Sequence, residues 1–263
     1  MNILDEIFAH KIDEIAACKL TRPLAEVRAE AEATPQAADF LFALRTSHSI
    51  PALIAEVKFA SPSKGVLVAD PDPLELARTY AENGAAAISV LTDEKYFHGK
   101  LEYLSAIHAD LPTIPLLRKD FTCDAYQVYE ARAAGASAVL LIAAYLDAGQ
   151  LAEFHALALS LGLTPLVEVH KRSELDRALR LDGLRLLGVN NRDLRTFRVD
   201  LQTCLDLRRL VPDDVCFVAE SGIHTPADVA RLREAGVDAM LIGEALVKAE
   251  DVGGKVRQLL NTE

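Results

Sequence analysis

The sequence predicts an α/β fold, a closed (β/α)8 TIM barrel with an N-terminal helical extension. Three observations carry this: a recurring helix-to-strand phrase, eight short apolar runs separated by helical segments, and a length that one barrel fills. The chain has 263 residues, and a single α/β barrel takes about 250. The phrase is Glu82-Asn83-Gly84-Ala85-Ala86-Ala87-Ile88-Ser89-Val90, then Ala134-Gly135-Ala136-Ser137-Ala138-Val139-Leu140-Leu141, then Ala235-Gly236-Val237-Asp238-Ala239-Met240-Leu241-Ile242. In each, a helix-like stretch ends at a glycine that can take the left-handed conformation of a helix terminus, and an apolar run follows. Leu181-Asp182-Gly183-Leu184-Arg185-Leu186-Leu187 is a fourth copy. Neighbouring glycines of the set lie about 50 residues apart, two units of about 25.

About fifty residues precede the first strand. Segments 3–19, 24–33 and 37–46 are patterned as helices, with Arg22-Pro23 and Thr34-Pro35 as the breaks between them. This extension, residues 1–49, reads equally as a plug of one barrel end or as a lid over the site. The barrel occupies 50–263, and 1–263 forms one domain. Its strands are expected at 52–57, 87–91, 114–117, 138–143, 165–169, 184–189, 215–219 and 239–242, with helical periodicity at 73–82, 125–134, 151–161 and 226–234. Strands this apolar, alternating with helices, imply a parallel sheet covered on its outer face. Eight uninterrupted units favour closure; an open doubly wound sheet is the structural alternative.

Composition excludes several functional classes. With 28 Lys and Arg against 39 Asp and Glu, a net charge of −11, the chain lacks the basic face on which nucleic-acid or anionic-membrane binding is built. An anionic substrate must instead be met by a few cations gathered at the site. The first nineteen residues carry Asp5, Glu6, Asp13 and Glu14, so they do not read as a secretory signal, and no apolar run approaches the roughly 18 residues of a spanning helix. Cys18, Cys123, Cys204 and Cys216 are far apart and form no C-x-x-C pair. They read as reduced thiols of a cytoplasmic protein. The seven histidines form no H-x-x-x-H or H-E-x-x-H arrangement, and no bound metal is expected.

Barrel active sites form at the carboxyl ends of the strands, and polar residues collect there. Ile54, Glu56 and Lys58 share one parity of the first strand, and Lys119 is in phase with Leu117 at the end of the third. The fifth strand ends in Glu168, the sixth in Asn190-Asn191-Arg192 and the seventh in Glu220-Ser221-Gly222. Any one of these would pass for a rim residue, but inward charges at five ends of one barrel are costly unless paired in a working cleft. Partial burial is expected to lower the lysine pKa values toward neutrality. Ser221-Gly222 and Gly243, at consecutive strand ends, leave backbone N–H groups open to an anion and favour a phosphorylated small-molecule substrate. Ser61-Pro62-Ser63-Lys64-Gly65 lacks P-loop spacing and reads as a polar, mobile loop able to close over a ligand. His170, on the parity of Glu168, reads as a loop residue.

At these residues the chain resembles a known family. Ile54-Ala55-Glu56-Val57-Lys58-Phe59-Ala60-Ser61-Pro62-Ser63-Lys64-Gly65, Leu117-Arg118-Lys119-Asp120-Phe121, Glu168-Val169-His170, Gly188-Val189-Asn190-Asn191-Arg192-Asp193-Leu194 and Glu220-Ser221-Gly222-Ile223 closely resemble the signature segments of indole-3-glycerol-phosphate synthases, in order, from about residue 50 to 247. The resemblance implies conversion of 1-(2-carboxyphenylamino)-1-deoxyribulose 5-phosphate to indole-3-glycerol phosphate, CO₂ and water in tryptophan biosynthesis, without metal or organic cofactor. It further implies Lys119 as general acid for ring closure, Lys58 beside the substrate carboxylate, and Glu168 as the group that stabilises the cationic intermediate or acts in dehydration. Glu56 and Asn190 would orient the proton network, Glu220 would support it, and Ser61, Phe121, Arg192, Ser221, Gly222 and Gly243 would bind substrate. The chain departs from the family pattern at Ala245, where a serine is expected beside the phosphate loop, and at Phe59, where a basic residue is frequent.

Two other readings stand beside this one. A sister phosphate-binding barrel, such as phosphoribosylanthranilate isomerase or the tryptophan synthase α subunit, would share the fold and phosphate corner. The isomerase, however, is expected to carry a cysteine on the first strand, where Glu56 and Lys58 stand. A catalytically silent barrel acting as a binding subunit would show apolar replacements at the strand-end charges. A monomer or weak homo-oligomer is expected, with docking to a neighbouring pathway enzyme left open.

Overall fold

A computed structural model describes residues 3–193 and 196–261. Eight parallel strands close into a barrel in sequential order: Ala52–Val57, Ala87–Leu91, Leu116–Lys119, Ala138–Ile142, Thr164–Val169, Leu186–Asn190, Cys216–Glu220 and Ala239–Ile242. The first pairs with the last through Ala52 opposite Ala239 and Ile54 opposite Leu241. The open sheet is thereby excluded. Period-two alternation sorts the side chains into two cores. Ile54, Leu117, Leu140, Leu166, Leu186, Val218 and Leu241 fill the barrel interior, while Leu53, Val90, Leu116, Val139, Val167, Leu187 and Phe217 pack outward under the helices.

Three strands sit later in the chain than the apolar runs suggest. The third begins at Leu116 because Pro115 has no N–H to give the ladder, and Ile114 is tied back to Leu111 O at 3.1 Å. Arg118 and Lys119 consequently pair with Val90 and Leu91 within the sheet. The sixth and seventh strands end on Asn190 and Glu220, which pair with each other. Hydrophobicity undercounts a strand whose last inward residue is polar. Helix boundaries moved where capping decides: Asp39 accepts from Phe42 N at 2.9 Å and starts the third helix at Phe40, and a capping box between Asp147 and Gln150 starts another at Ala148. The polar loop after the first strand holds a two-stranded hairpin, Ala60–Ser61 with Gly65–Val66, which its composition did not show.

The extension serves both ends of the barrel. The first helix, Ile3–Thr21, lies over the carboxyl mouth, where Phe8 packs against Phe121 and Tyr145 and Ile3, Leu4 and Ile7 face the cavity. The third, Phe40–Arg45, closes the opposite end with Phe40, Leu41 and Leu44 in the interior core beside Ala52 and Ala87. The second, Leu24–Ala33, packs on the helix Ala125–Ala133. Each fully buried Leu or Phe contributes about 1.5–3 kcal/mol. A polar bolt adds to this packing: Lys11, fully buried, places Nζ 3.0 Å from Asp93, 3.1 Å from Asp120 and 2.8 Å from Glu14.

Candidate active site

The inward residue at the end of each strand decides what the mouth contains. One cavity there is lined by Glu56, Lys58, Lys119, Glu168, Asn190 and Glu220, together with Ser61, Phe121, Arg192, Ser221, Gly222 and Gly243. All twelve residues singled out in the sequence therefore converge. Lys119 Nζ sits between two carboxylates, 3.6 Å from Glu168 Oε2 and 3.6 Å from Glu220 Oε2. Asn190 Nδ2 donates to Glu168 Oε2 at 3.3 Å, and its Oδ1 accepts from the Arg192 backbone N–H at 3.0 Å. Across the cavity Lys58 Nζ lies 3.4 Å from Glu56 Oε2 and 5.2 Å from the centre of the Phe97 ring.

Two glycines make room for these carboxylates. A Cβ on Gly188 would overlap Glu220 Oε1, and one on Gly243 would overlap Glu56 Oε2. Gly243 thus makes room for Glu56, which its expected role at a phosphate corner did not reveal. Ser221 and Gly222 both have positive φ, 66° and 79°. Asn191 braces that turn by donating to the carbonyls of Glu220 and Ser221 at 3.0 and 3.1 Å.

Burial disfavours charge on all three members of the Lys119 cluster, but their neighbours differ. Against that burial, Glu168, Glu220 and Glu56 hold the Lys119 pKa above the ordinary amine value. The sequence-based expectation of a lysine lowered toward neutrality is therefore corrected for the free enzyme: attraction by three carboxylates outweighs desolvation. Glu168 resists burial through Lys119, then His170, and stays below its usual range. Glu220 is pushed well up by burial and by Glu168, with Lys119 opposing. Among the described residues neither Glu220 oxygen has a hydrogen-bond partner. As pH falls, Glu220 is the first of the two to take up a proton.

Sequence reasoning sought polar residues and so passed over the apolar wall of the cavity: Ile3, Leu4 and Ile7 from the extension, Leu140, Ile142 and Leu241 from strands, and Phe97. The inward parity of Leu140, Ile142 and Leu241 was the available signal; for the extension there was none, because its helices do not pair with strands. Glu244 also lines the cavity, 2.8 Å from Lys248 and 3.9 Å from both Lys64 and Arg192. Ala245 does face the cavity, so the expected hydroxyl is missing there. Phe59 is buried in the layer under the helices, edge-on to Tyr103 at 5.9 Å, and its apolar character removes no charge from the cavity wall. Among the described residues no three His, Cys, Asp or Glu side chains are grouped to hold a metal.

The family model for indole-3-glycerol phosphate synthase matches residues 4–259. The chain belongs to the indole-3-glycerol phosphate synthase family. Two relatives bearing that name are 53% identical, from a Polaromonas species, and 54% identical, from Roseiflexus castenholzii. The first match covers 100% of this chain and 99% of the relative, the second 98% and 97%. Solved structures share the fold at lower identity. A 3-hexulose-6-phosphate synthase superposes with TM-score 0.64 at 19% identity, over 80% of this chain and 99% of that one. A chain of the Pyrococcus furiosus tryptophan synthase complex gives 0.59 at 16%, over 82% and 100%. As an indole-3-glycerol phosphate synthase the protein is a carboxy-lyase of tryptophan biosynthesis, and the isomerase-like and silent-barrel readings fall away.

Proposed function

We propose that the reaction, decarboxylative ring closure of 1-(2-carboxyphenylamino)-1-deoxyribulose 5-phosphate, is divided among the cavity residues as follows. The observation that carries this reading is the position of Lys119, an ammonium between two buried carboxylates with a second ammonium, Lys58, in the same cavity. Carbon–carbon bond formation places negative charge on the ketone oxygen, and Lys119 gives that oxygen a proton. Lys58 engages the substrate carboxylate until CO₂ leaves and aromaticity returns. The ring nitrogen bears positive charge before decarboxylation and again when hydroxide departs, and Glu168 stabilises both cations. Lys58, its carboxylate partner gone as CO₂, gives the departing hydroxide the proton that makes it water, and Glu168 takes the proton lost from the carbon beside nitrogen as the indole forms. Glu56 and Asn190 orient the two lysines and Glu168, and Glu220 supports Lys119.

The phosphate fits the corner made by Ser221, Gly222 and Gly243, where Arg192 offers a guanidinium and Ser61 a hydroxyl. The carboxyphenyl ring fits the apolar wall under the first helix, near Phe121. That wall makes residues 1–49 part of the working unit, consistent with one domain over 1–263 and the barrel at 50–263. No helix among the described residues is long and apolar enough to cross a membrane. The acidic surface and four free thiols support a cytoplasmic enzyme that binds no nucleic acid and acts as a monomer or weak homo-oligomer.

Gly222→Val tests the pose. Its φ of 79° is unfavourable for valine, and its Cβ would come within 2.6 Å of Val199 Cγ1, closing the corner to a phosphate. Substrate KM should rise more than about tenfold with kcat changed far less, as expected when ground-state contacts are lost. An unchanged KM in a folded variant would place the phosphate elsewhere. Gly243→Val is the poorer probe, since it would displace Glu56 as well.

A further inference from the structure

His170 lies directly behind Glu168 and is absent from the cavity wall. The two oxygens of Glu168 have different surroundings. Oε2 faces the cavity, 3.3 Å from Asn190 Nδ2 and 3.6 Å from Lys119 Nζ. Oε1 faces backward, 3.4 Å from His170 Nε2. The other ring nitrogen, Nδ1, lies 3.6 Å from Glu174 Oε2, an oxygen that also accepts the His170 backbone N–H at 2.8 Å. Glu174 is itself buried, in the first turn of the helix Arg172–Ala178. Both ring nitrogens are buried with no closer hydrogen-bond partner. This is more than a loop residue requires: an imidazole lies between two buried carboxylates, one of them at the chemistry.

We propose that His170, backed by Glu174, is a positioning residue that holds Glu168 in place and keeps it ionised while Lys119 gives up its proton. The inference rests on Glu168 being the cation-stabilising group. At rest Glu168 has two cationic neighbours, Lys119 in the cavity and His170 behind. Proton transfer to the ketone oxygen removes the charge on Lys119 at the moment a substrate cation forms. Without a second cation, Glu168 would be left between Glu220 and the cavity with less to hold its charge, and would compete for the proton. An imidazolium at Oε1 prevents this without touching substrate.

The surrounding charges support an imidazolium. Burial opposes it, but Glu174 and Glu168 raise the His170 pKa above its ordinary value, and only Lys119 works against them. Glu174 is correspondingly held low, burial being outweighed by His170 and the exposed Lys171, whose Nζ is 3.3 Å from Oε1. On the Glu168 side the other acidic neighbour is Glu220 of the seventh strand, which burial and Glu168 push well up, so that Glu220 takes the proton of the pair and Glu168 is its ionised member.

The test is the pH dependence of kcat in His170→Gln, which keeps a donor of similar reach but cannot carry charge, and in Glu174→Gln, which leaves the imidazole without its rear carboxylate. Losing a cation beside a carboxylate raises that carboxylate's pKa, so the acidic limb of kcat should move to higher pH by about one unit in His170→Gln. Near neutrality kcat should fall about tenfold with KM within about twofold. Glu174→Gln should shift the limb in the same direction by less, and should lower the His170 pKa followed by imidazole NMR. A role confined to packing would lower the melting temperature and leave both limbs in place, and that result overturns the inference. Should neither variant fold, an imidazole signal in the wild-type enzyme titrating at or below the ordinary histidine value overturns it. Glu168→Gln, assayed in parallel, separates the two levels. If it keeps its kcat, the underlying role of Glu168 fails; if it is inactive while His170→Gln has an unmoved limb, only the role of His170 fails.

Discussion

Lys119→Met should lose on the order of 10³-fold or more in kcat, the size expected for removal of a general acid, while affinity for indole-3-glycerol phosphate changes only a few-fold. Methionine preserves the length and packing of the side chain but removes the proton donor. It also leaves Glu168 and Glu220 facing each other without the ammonium now 3.6 Å from each. One of them must then be neutral, and the network that would support the forming cation is weakened further. Lys58→Met provides the contrast. Its Nζ has one carboxylate neighbour, Glu56 at 3.4 Å, and is more exposed than Lys119, as suits a group that meets a substrate carboxylate. Losing it should weaken binding and turnover together, because the contact exists in both ground and transition states. Product titration combined with single-turnover measurements separates the two. Near wild-type turnover in Lys119→Met, or normal product binding in Lys58→Met, would reverse the assignment.

Lys11→Met should destabilise the protein by about 3–5 kcal/mol, because it breaks a buried ionic cluster and leaves its partners behind. Among the described residues Asp93 Oδ2 has no hydrogen bond and only Lys11 as cation, at 3.0 Å; Asp93 Oδ1 accepts the Tyr96 N–H at 2.8 Å. Asp120 retains Arg118 at 3.2 Å and Thr92 at 2.6 Å, so the unmet charge falls mainly on Asp93. Denaturant unfolding of Lys11→Met and Lys11→Met/Asp93→Asn checks this. The double variant should recover part of the loss, and equal stability of wild type and Lys11→Met would contradict the account. The pH dependence has a defined sign. Burial opposes charge on Asp120, but Lys11 and Arg118 hold its pKa down to about 2. The unfolded value is about 3.9, so its contribution is complete above that pH and disappears as pH falls toward 2. Removal of Lys11 should flatten this acid dependence.

The barrel was legible because each unit repeats one physical problem, a glycine-terminated helix followed by an inward-and-outward apolar strand. The strands 52–57, 87–91 and 239–242 and the helices 73–82 and 226–234 coincide with the observed ones. Errors fell where a strand ends on a polar residue that lines the cavity, as at Lys119, Asn190 and Glu220, since a polar terminus reads as loop. The polar half of the cavity was legible for the same reason: parity places Glu56, Lys119 and Glu168 inward, and barrel closure brings inward strand ends together. What the sequence withheld depends on long-range packing. Whether Ile3, Leu4 and Ile7 cover the mouth or the base depends on where Lys11 finds Asp93 and Asp120, and no local pattern encodes that. The burial of His170 likewise depends on Glu174 folding back from the following helix.

We propose that this cavity closes an indole ring with protein side chains alone, and the absence of tryptophan from the chain allows a direct test. Wild-type protein mixed with 1-(2-carboxyphenylamino)-1-deoxyribulose 5-phosphate, in the presence of a chelator, should produce indole fluorescence above a background free of protein tryptophan, with one CO₂ released per indole formed. Well-folded protein that produces no indole signal, or a signal abolished by the chelator and restored by metal, would contradict the account.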